Sequence, residues 1–319
     1  MVQRFGSREI CDVTFKALND MKVGTKTIKA GQPVFVIDTA QTSSMEQATT
    51  VVYAQGGRGY NRLIAWEGEK TMTFNVTDAL MSPLGLSMLT SAGIADATAT
   101  KPIHVHTTID AAIDATGKAT VTLDELVAEL GLPVNTTSVF ICQDSKVKIY
   151  ATVLDHNGSI VDWVDSSVIT LTPAKNAQDL TEVTSDNSAV FTFTGDDYKS
   201  KTVKLDFYVV LKSGATQITI EPSNFGGYFY VEADTLYRNE DGKDMAATLT
   251  YPKVKINSAF TISMAANGDP STFDFQMDAM PAYTYFDHTK KVLCDIAIVG
   301  GDTGSDTEIV HTTPVHQGE

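Results

Sequence analysis

The chain has 319 residues, 43% hydrophobic and 20% charged, the balance of a folded protein rather than a disordered one. Its net charge of −15 argues against a surface that grips nucleic acid, which needs clustered Lys and Arg. The richest basic stretch, Lys146-Val147-Lys148, is short and interrupted, and the longest apolar runs, 34–37 and 296–299, have only strand length, far from the ~20 residues that cross a bilayer.

Period-two alternation dominates the chain. After a start that lacks the apolar core of a signal peptide, residues 12–16 alternate, and so do 70–76. Residues i and i+2 share a strand face, so these segments predict strands with one packed and one polar face. Between 77 and 90 the spacing turns helical, with Leu80, Leu84 and Met88 on one side and Met81 and Leu89 beside them. Ser82-Pro83 is a good helix start and Gly93 a stop. A second helix is predicted over 123–130, capped by Thr122 or Asp124 and ended by Gly131 and Pro133. Strands are expected near 139–142, 147–153 and 190–194, with 173–188 as a long surface loop. Further alternation follows at 202–209, 217–220, 228–231, 247–251 and 259–264. His156-Asn157-Gly158-Ser159 and Glu240-Asp241-Gly242-Lys243 have the chemistry of tight hairpin turns. Aromatic residues crowd the last hundred positions, mostly as expected core.

This pattern predicts a mainly β protein. A domain built from 1–111 and 201–299 is interrupted by a β-rich insertion over 112–200, and 300–319 forms a loose acidic tail.

No reactive constellation emerges, so no catalytic residue, cofactor or metal is assigned. Cys11, Cys142 and Cys294 are odd in number, widely spaced and flanked by apolar residues, the setting of small buried hydrophobes rather than of disulfides or zinc ligands. The stretch from Ala54 to Gly59 invites a phosphate-loop reading, but it lacks the required lysine and strand-like residues follow it instead of a helix. A loop between strands fits better, with Arg58 and Arg62 free to meet carboxylates of a partner, including a second copy of the chain. His104 and His106 share a strand face, yet no nearby Cys or acidic pair completes a ligand set. There is no G-x-S-x-G elbow.

Two segments together carry a resemblance. The first runs from Thr50-Val51-Val52-Tyr53 through Gly56-Gly57-Arg58-Gly59 and Leu63-Ile64-Ala65-Trp66 to Met81-Ser82-Pro83. The second holds Gly227-Tyr228-Phe229-Tyr230-Val231, then Tyr251-Pro252-Lys253 and Asn267-Gly268-Asp269-Pro270. Over roughly 10–95 and 205–285 the chain resembles the tail tube proteins of long-tailed bacteriophages. The resemblance implies a β-sandwich or barrel subunit with one packed α-helix, a virion protein assembled in the host cytoplasm, whose hexameric rings stack into a tube. DNA would pass through the lumen without specific binding. Tail sheath, baseplate and tape-measure proteins become candidate partners, and no membrane anchor is implied. By position, Gly56, Gly57, Arg58 and Arg62, with Leu84 and Met88 on the helix, are candidate inter-subunit contacts. Two other readings stand beside it: a capsid-surface or baseplate component, and a carbohydrate-binding β-sandwich module.

Overall fold

The computed structural model describes residues 4–7, 9–23, 26–224, 226–257, 261–262 and 271–300. The predicted alternation at 259–264, apart from Thr261 and Ile262, lies outside them, as does the tail beyond Gly300. The first stretch forms β1 (Phe5–Ser7), β2 (Asp12–Ala17), β3 (Met21–Val23), β4 (Lys26–Ile28), β5 (Pro33–Ile37), β6 (Ala40–Gly56), β7 (Asn61–Asp78), α1 (Pro83–Thr90) and β8 (Gly93–Asp96). The middle forms β9 (Ile103–Ala112), β10 (Lys118–Val121), α2 (Leu123–Glu129), β11 (Ser138–Cys142), β12 (Tyr150–Leu154), β13 (Ile160–Val164), β14 (Ile169–Thr172), β15 (Leu180–Thr184), β16 (Ala189–Phe193) and β17 (Thr202–Leu211). The last part adds β18 (Thr216–Thr219), β19 (Tyr228–Asn239), β20 (Asp244–Ile256), β21 (Phe273–Ala279) and β22 (Asp295–Ile298). The fold is mainly β, and its strand pairs are antiparallel. The chain divides into two compact units, Met1–Ile94 with Ile218–Glu319, and Ala95–Gln217.

The first unit is built on a nine-stranded sheet ordered β5-β2-β19-β20-β21-β7-β6, with β1 on β19 and β22 on β20. Its two terminal strands, β5 and β6, are joined by Asp38 and Thr39 alone, so the sheet must curl until its edges approach. The Cys11 N–H, at the start of β2, donates to Ser43 Oγ on β6 at 3.1 Å, which closes the curl. Alternation explains the filling. Val13, Phe15 and Ala17 of β2 point inward between the polar Asp12, Thr14 and Lys16. Inside they meet Phe74, Tyr251, Phe275 and Leu89, each such apolar side chain contributing about 1.5–3 kcal/mol of burial.

Helix α1 plugs this core. Ser82 caps it, its Oγ accepting from the Gly85 N–H at 3.0 Å, and Pro83 takes the first turn. It ends at Ser91 with φ 57°, before Gly93, and Leu80 lies outside it and exposed. Gly85 is needed for close approach: a Cβ there would sit 2.9 Å from Phe35 Cζ and 3.1 Å from Met81 Sδ. The Tyr251 hydroxyl is buried without a hydrogen-bond partner of normal geometry, beside Cys294, and the Tyr251 ring stacks on Phe74 at 4.9 Å. Burial pushes the Cys294 thiol up to about 11. Cys11 and Cys142 are buried and Cys294 is half-buried, all three as free thiols.

In the second unit β17 is the central strand, flanked by β9 along one edge and by β12 and β11 along the other. Val203, Leu205, Phe207 and Val209 pack inward against Phe191, Val183 and Leu126. Helix α2 starts at Thr122 through a capping box with Glu125, so Thr122 rather than Asp124 is the cap. The structure corrects one expectation here. Residues 173–188 are not a loop throughout, because β15 lies within them and pairs in register with β11. Leu180, Thr181 and Val183 are buried there, and their polar neighbours hid the strand from pattern reading.

Candidate assembly surface

Strands β6 and β7 form one long hairpin whose two halves have different surroundings. Near its base, Met72–Asp78 of β7 pair with β21, and Phe74 and Val76 enter the core. Beyond Thr71 the hairpin leaves the sheet as an arm of roughly 30 Å. Among the described residues it pairs there with no other strand. From 44 to 71 every residue is exposed except the half-buried Ala54 and Gly56. Polar at its base, the arm turns apolar toward its tip. Val52 is 65% exposed, Leu63 67% and Ile64 55%. The register places Val52 opposite Trp66 and Ala54 opposite Ile64, so these four side chains share one apolar face.

An isolated two-stranded hairpin is marginal in water, and a long free edge beside apolar side chains is a template for pairing. The arm therefore has the physical character of a segment completed by another surface. Its tip turns through Gly57 and Gly59, at φ 79° and 95°, and through Tyr60 at 54°. The Tyr60 N–H returns to the Gly57 carbonyl at 3.3 Å. Glycine is suited to two of these left-handed positions because a Cβ would strain them.

The structure brings four of the sequence-predicted contact residues together and leaves two apart. Gly56, Gly57, Arg58 and Arg62 all lie at the arm's tip. Arg58 is exposed, whereas the Arg62 guanidinium lies over the Tyr53 ring, 4.2 Å from its centroid, and stiffens the strand pair. Leu84 and Met88 sit away from the tip on α1. Met88 is buried in the core and Leu84 packs against that core, both lining a shallow groove of about 350 Å³ with Met21, Val23 and Phe229.

A second surface was not assigned from sequence. The outward face of the main sheet runs from Thr14 through Glu232 to Thr250, and from Asp12 through Asp234 to Thr248. Further along, Asp274 is opposite Thr77 and Asp278 opposite Thr73, which in turn faces Glu46. Lys16 pairs with Glu232 at 2.5 Å, and both are mostly buried. The remaining acids give this threonine-rich face a negative character. Only the strand register reveals it, because its carboxylates come from four strands, β2, β19, β21 and β6. Nearby, on the same unit, Arg238 holds Asp244 through two hydrogen bonds of 2.6 and 3.0 Å, which lowers the carboxyl below its usual range.

His104 and His106 lie on the exposed face of β9, where His106 Nε2 meets Asp206 Oδ1 at 3.1 Å. Among the described residues no group of three or more His, Cys, Asp or Glu is arranged to hold a metal. No helix there is long and apolar enough to cross a membrane.

A mainly β chain with an uncovered apolar arm matches one family model over residues 21–291, that of the YomU/Tube protein family. The chain belongs to the YomU/Tube protein family. This is a phage tube-like family, in agreement with the resemblance of 50–83 and 227–275 to tail tube proteins. The chain is accordingly a phage tube-related structural protein and a virion component. No curated protein matches it.

Proposed function

We propose that the chain polymerises into hexameric rings that stack into the tube of a phage tail, a conduit for DNA ejection. The observation that carries this reading is the β6–β7 arm, which exposes Val52, Leu63 and Ile64 on a segment that, among the described residues, no other strand pairs with. Copies meeting head to tail cover such an arm and leave no unpaired partner surface, provided the rotation closes into a ring. The tip residues Gly56, Gly57, Arg58 and Arg62 then reach the neighbouring copy, and the groove beside Leu84 and Met88 offers a further contact.

The acidic, threonine-rich sheet face supports a lumen lining, since like charge repels phosphates and keeps a passing duplex from sticking. The tube domain comes from the first and last parts of the chain. Sheath, baseplate and tape-measure proteins are the further partners of such a tube. Sedimentation of the full chain over a concentration series tests the reading. Growth from small species into polymers supports it, and a single monomeric species at every concentration refutes it.

A further inference from the structure

The second unit carries an aromatic strip that lies outside the β6–β7 arm. Trp163 on β13, Tyr150 on β12 and Tyr208 on β17 are 74%, 48% and 37% exposed. Their strands are neighbours, and their inward-facing companions Val164, Ala151 and Phe207 are buried core residues, so all three rings share the outer face. The register puts them on a straight diagonal. Trp163 pairs with Thr152, two residues from Tyr150; Tyr150 pairs with Asp206, two residues from Tyr208. Each diagonal step is about 7–8 Å, which gives a strip of roughly 15 Å with three aromatic stations.

We propose that this face binds a neutral carbohydrate chain. The C–H faces of pyranose rings stack on exposed aromatic rings, while their hydroxyl rims need donors and acceptors close by. Thr152, Asp206 and His106 stand between and beside the rings. The interruption of the aromatic strip by these polar side chains disfavours a protein partner, which needs a continuous apolar centre. Charge narrows the ligand further. On a chain of net charge −15, this face engages its acids locally: Lys204 pairs with Asp110 at 2.6 Å, and His106 Nε2 lies in hydrogen-bond contact with Asp206 Oδ1 at 3.1 Å. It offers no cation cluster to a polyanion and no bare acid cluster to a polycation. A neutral polyhydroxylated chain is what remains complementary.

The inference goes beyond the tube reading and can fail without it. The chain has two tryptophans, so Trp66→Phe leaves Trp163 as the sole indole reporter. The full chain is titrated with neutral hexasaccharides of glucose, mannose, galactose and N-acetylglucosamine, and with heparin as polyanion. The expected result is a saturable change in Trp163 emission with at least one neutral sugar and none with heparin. By calorimetry at a temperature where circular dichroism shows each variant folded, Trp163→Ala and Tyr208→Ala each weaken that binding about three- to tenfold, and Trp163→Ala leaves the melting temperature unchanged because that side chain is mostly exposed. The proposal is overturned if no neutral sugar binds, if heparin binds as well, or if both alanine variants bind like the parent. It is also overturned if Trp163→Ala abolishes self-association, which would assign the face to a second copy.

Discussion

Replacing Val52, Leu63 and Ile64 together with serine separates assembly from folding. In the single subunit these side chains keep more than half of their surface in water, so their loss costs the fold little, within about 0.5 kcal/mol per site. Covered by a neighbour, each would bury that remaining half or more. At about 1.5–3 kcal/mol for a fully buried aliphatic side chain, the three together supply roughly 3–6 kcal/mol per contact. Removing them weakens each contact by about two to four powers of ten, and a closed ring multiplies the loss. Sedimentation velocity reads the assembly, and thermal melting followed by circular dichroism reads the fold. The expected outcome is a folded, monomeric triple variant at concentrations where the parent polymerises. Two results refute the reasoning. One is a variant that polymerises like the parent; the other is a melting temperature that collapses, which would make the arm part of the subunit's own core.

Arg58→Glu reverses the charge at the arm's tip and should impair polymerisation while the circular dichroism spectrum stays native; an unfolded variant would place the tip in the core. Gly85→Val forces atoms into the space already held by Phe35 and Met81, so overpacking should cost about 1–3 kcal/mol, seen as a midpoint shift in urea. An unshifted midpoint would show that α1 can move off the sheet. Cys294 should react slowly with iodoacetamide at pH 8, its rate rising toward pH 11, because burial keeps the thiol protonated. The linked stability follows in sign. Between pH 9 and 11 the unfolded chain has released this proton and the folded chain still holds it, so stability falls as pH rises through that window. A thiol that alkylates fully at pH 8 would contradict the burial.

Sequence revealed the parts of the fold in which one face is buried. The alternation of β2 and the Ser82-Pro83 start of α1 are legible because burial and capping act locally. Strand β6 is not: between Gln41 and Gln55 only Ser43 and Ala54 are even half-buried, so no period had cause to arise, and only the glycines and arginines of its tip stand out. β15 escaped because its buried positions include Thr181. The candidate surfaces divide in the same way. The four tip residues fall within 56–62 and span one turn, so the chain itself brings them together. Leu84 and Met88 show helical spacing whichever partner they face, and the structure places Met88 in the subunit's own core. The acidic sheet face and the Trp163–Tyr150–Tyr208 strip are each assembled from separate strands. Their existence depends on register, which is set by long-range pairing such as that of Tyr150 with Asp206.

The central claim is a tube of ring-stacked subunits joined through the β6–β7 arm. Negative-stain microscopy of the concentrated full chain, with averages of end-on views, tests it most directly. Hollow tubes or rings with six-fold symmetry are expected, and they are absent in the Val52, Leu63 and Ile64 serine variant. Monodisperse single particles at every concentration, or solid filaments without a lumen, would contradict it.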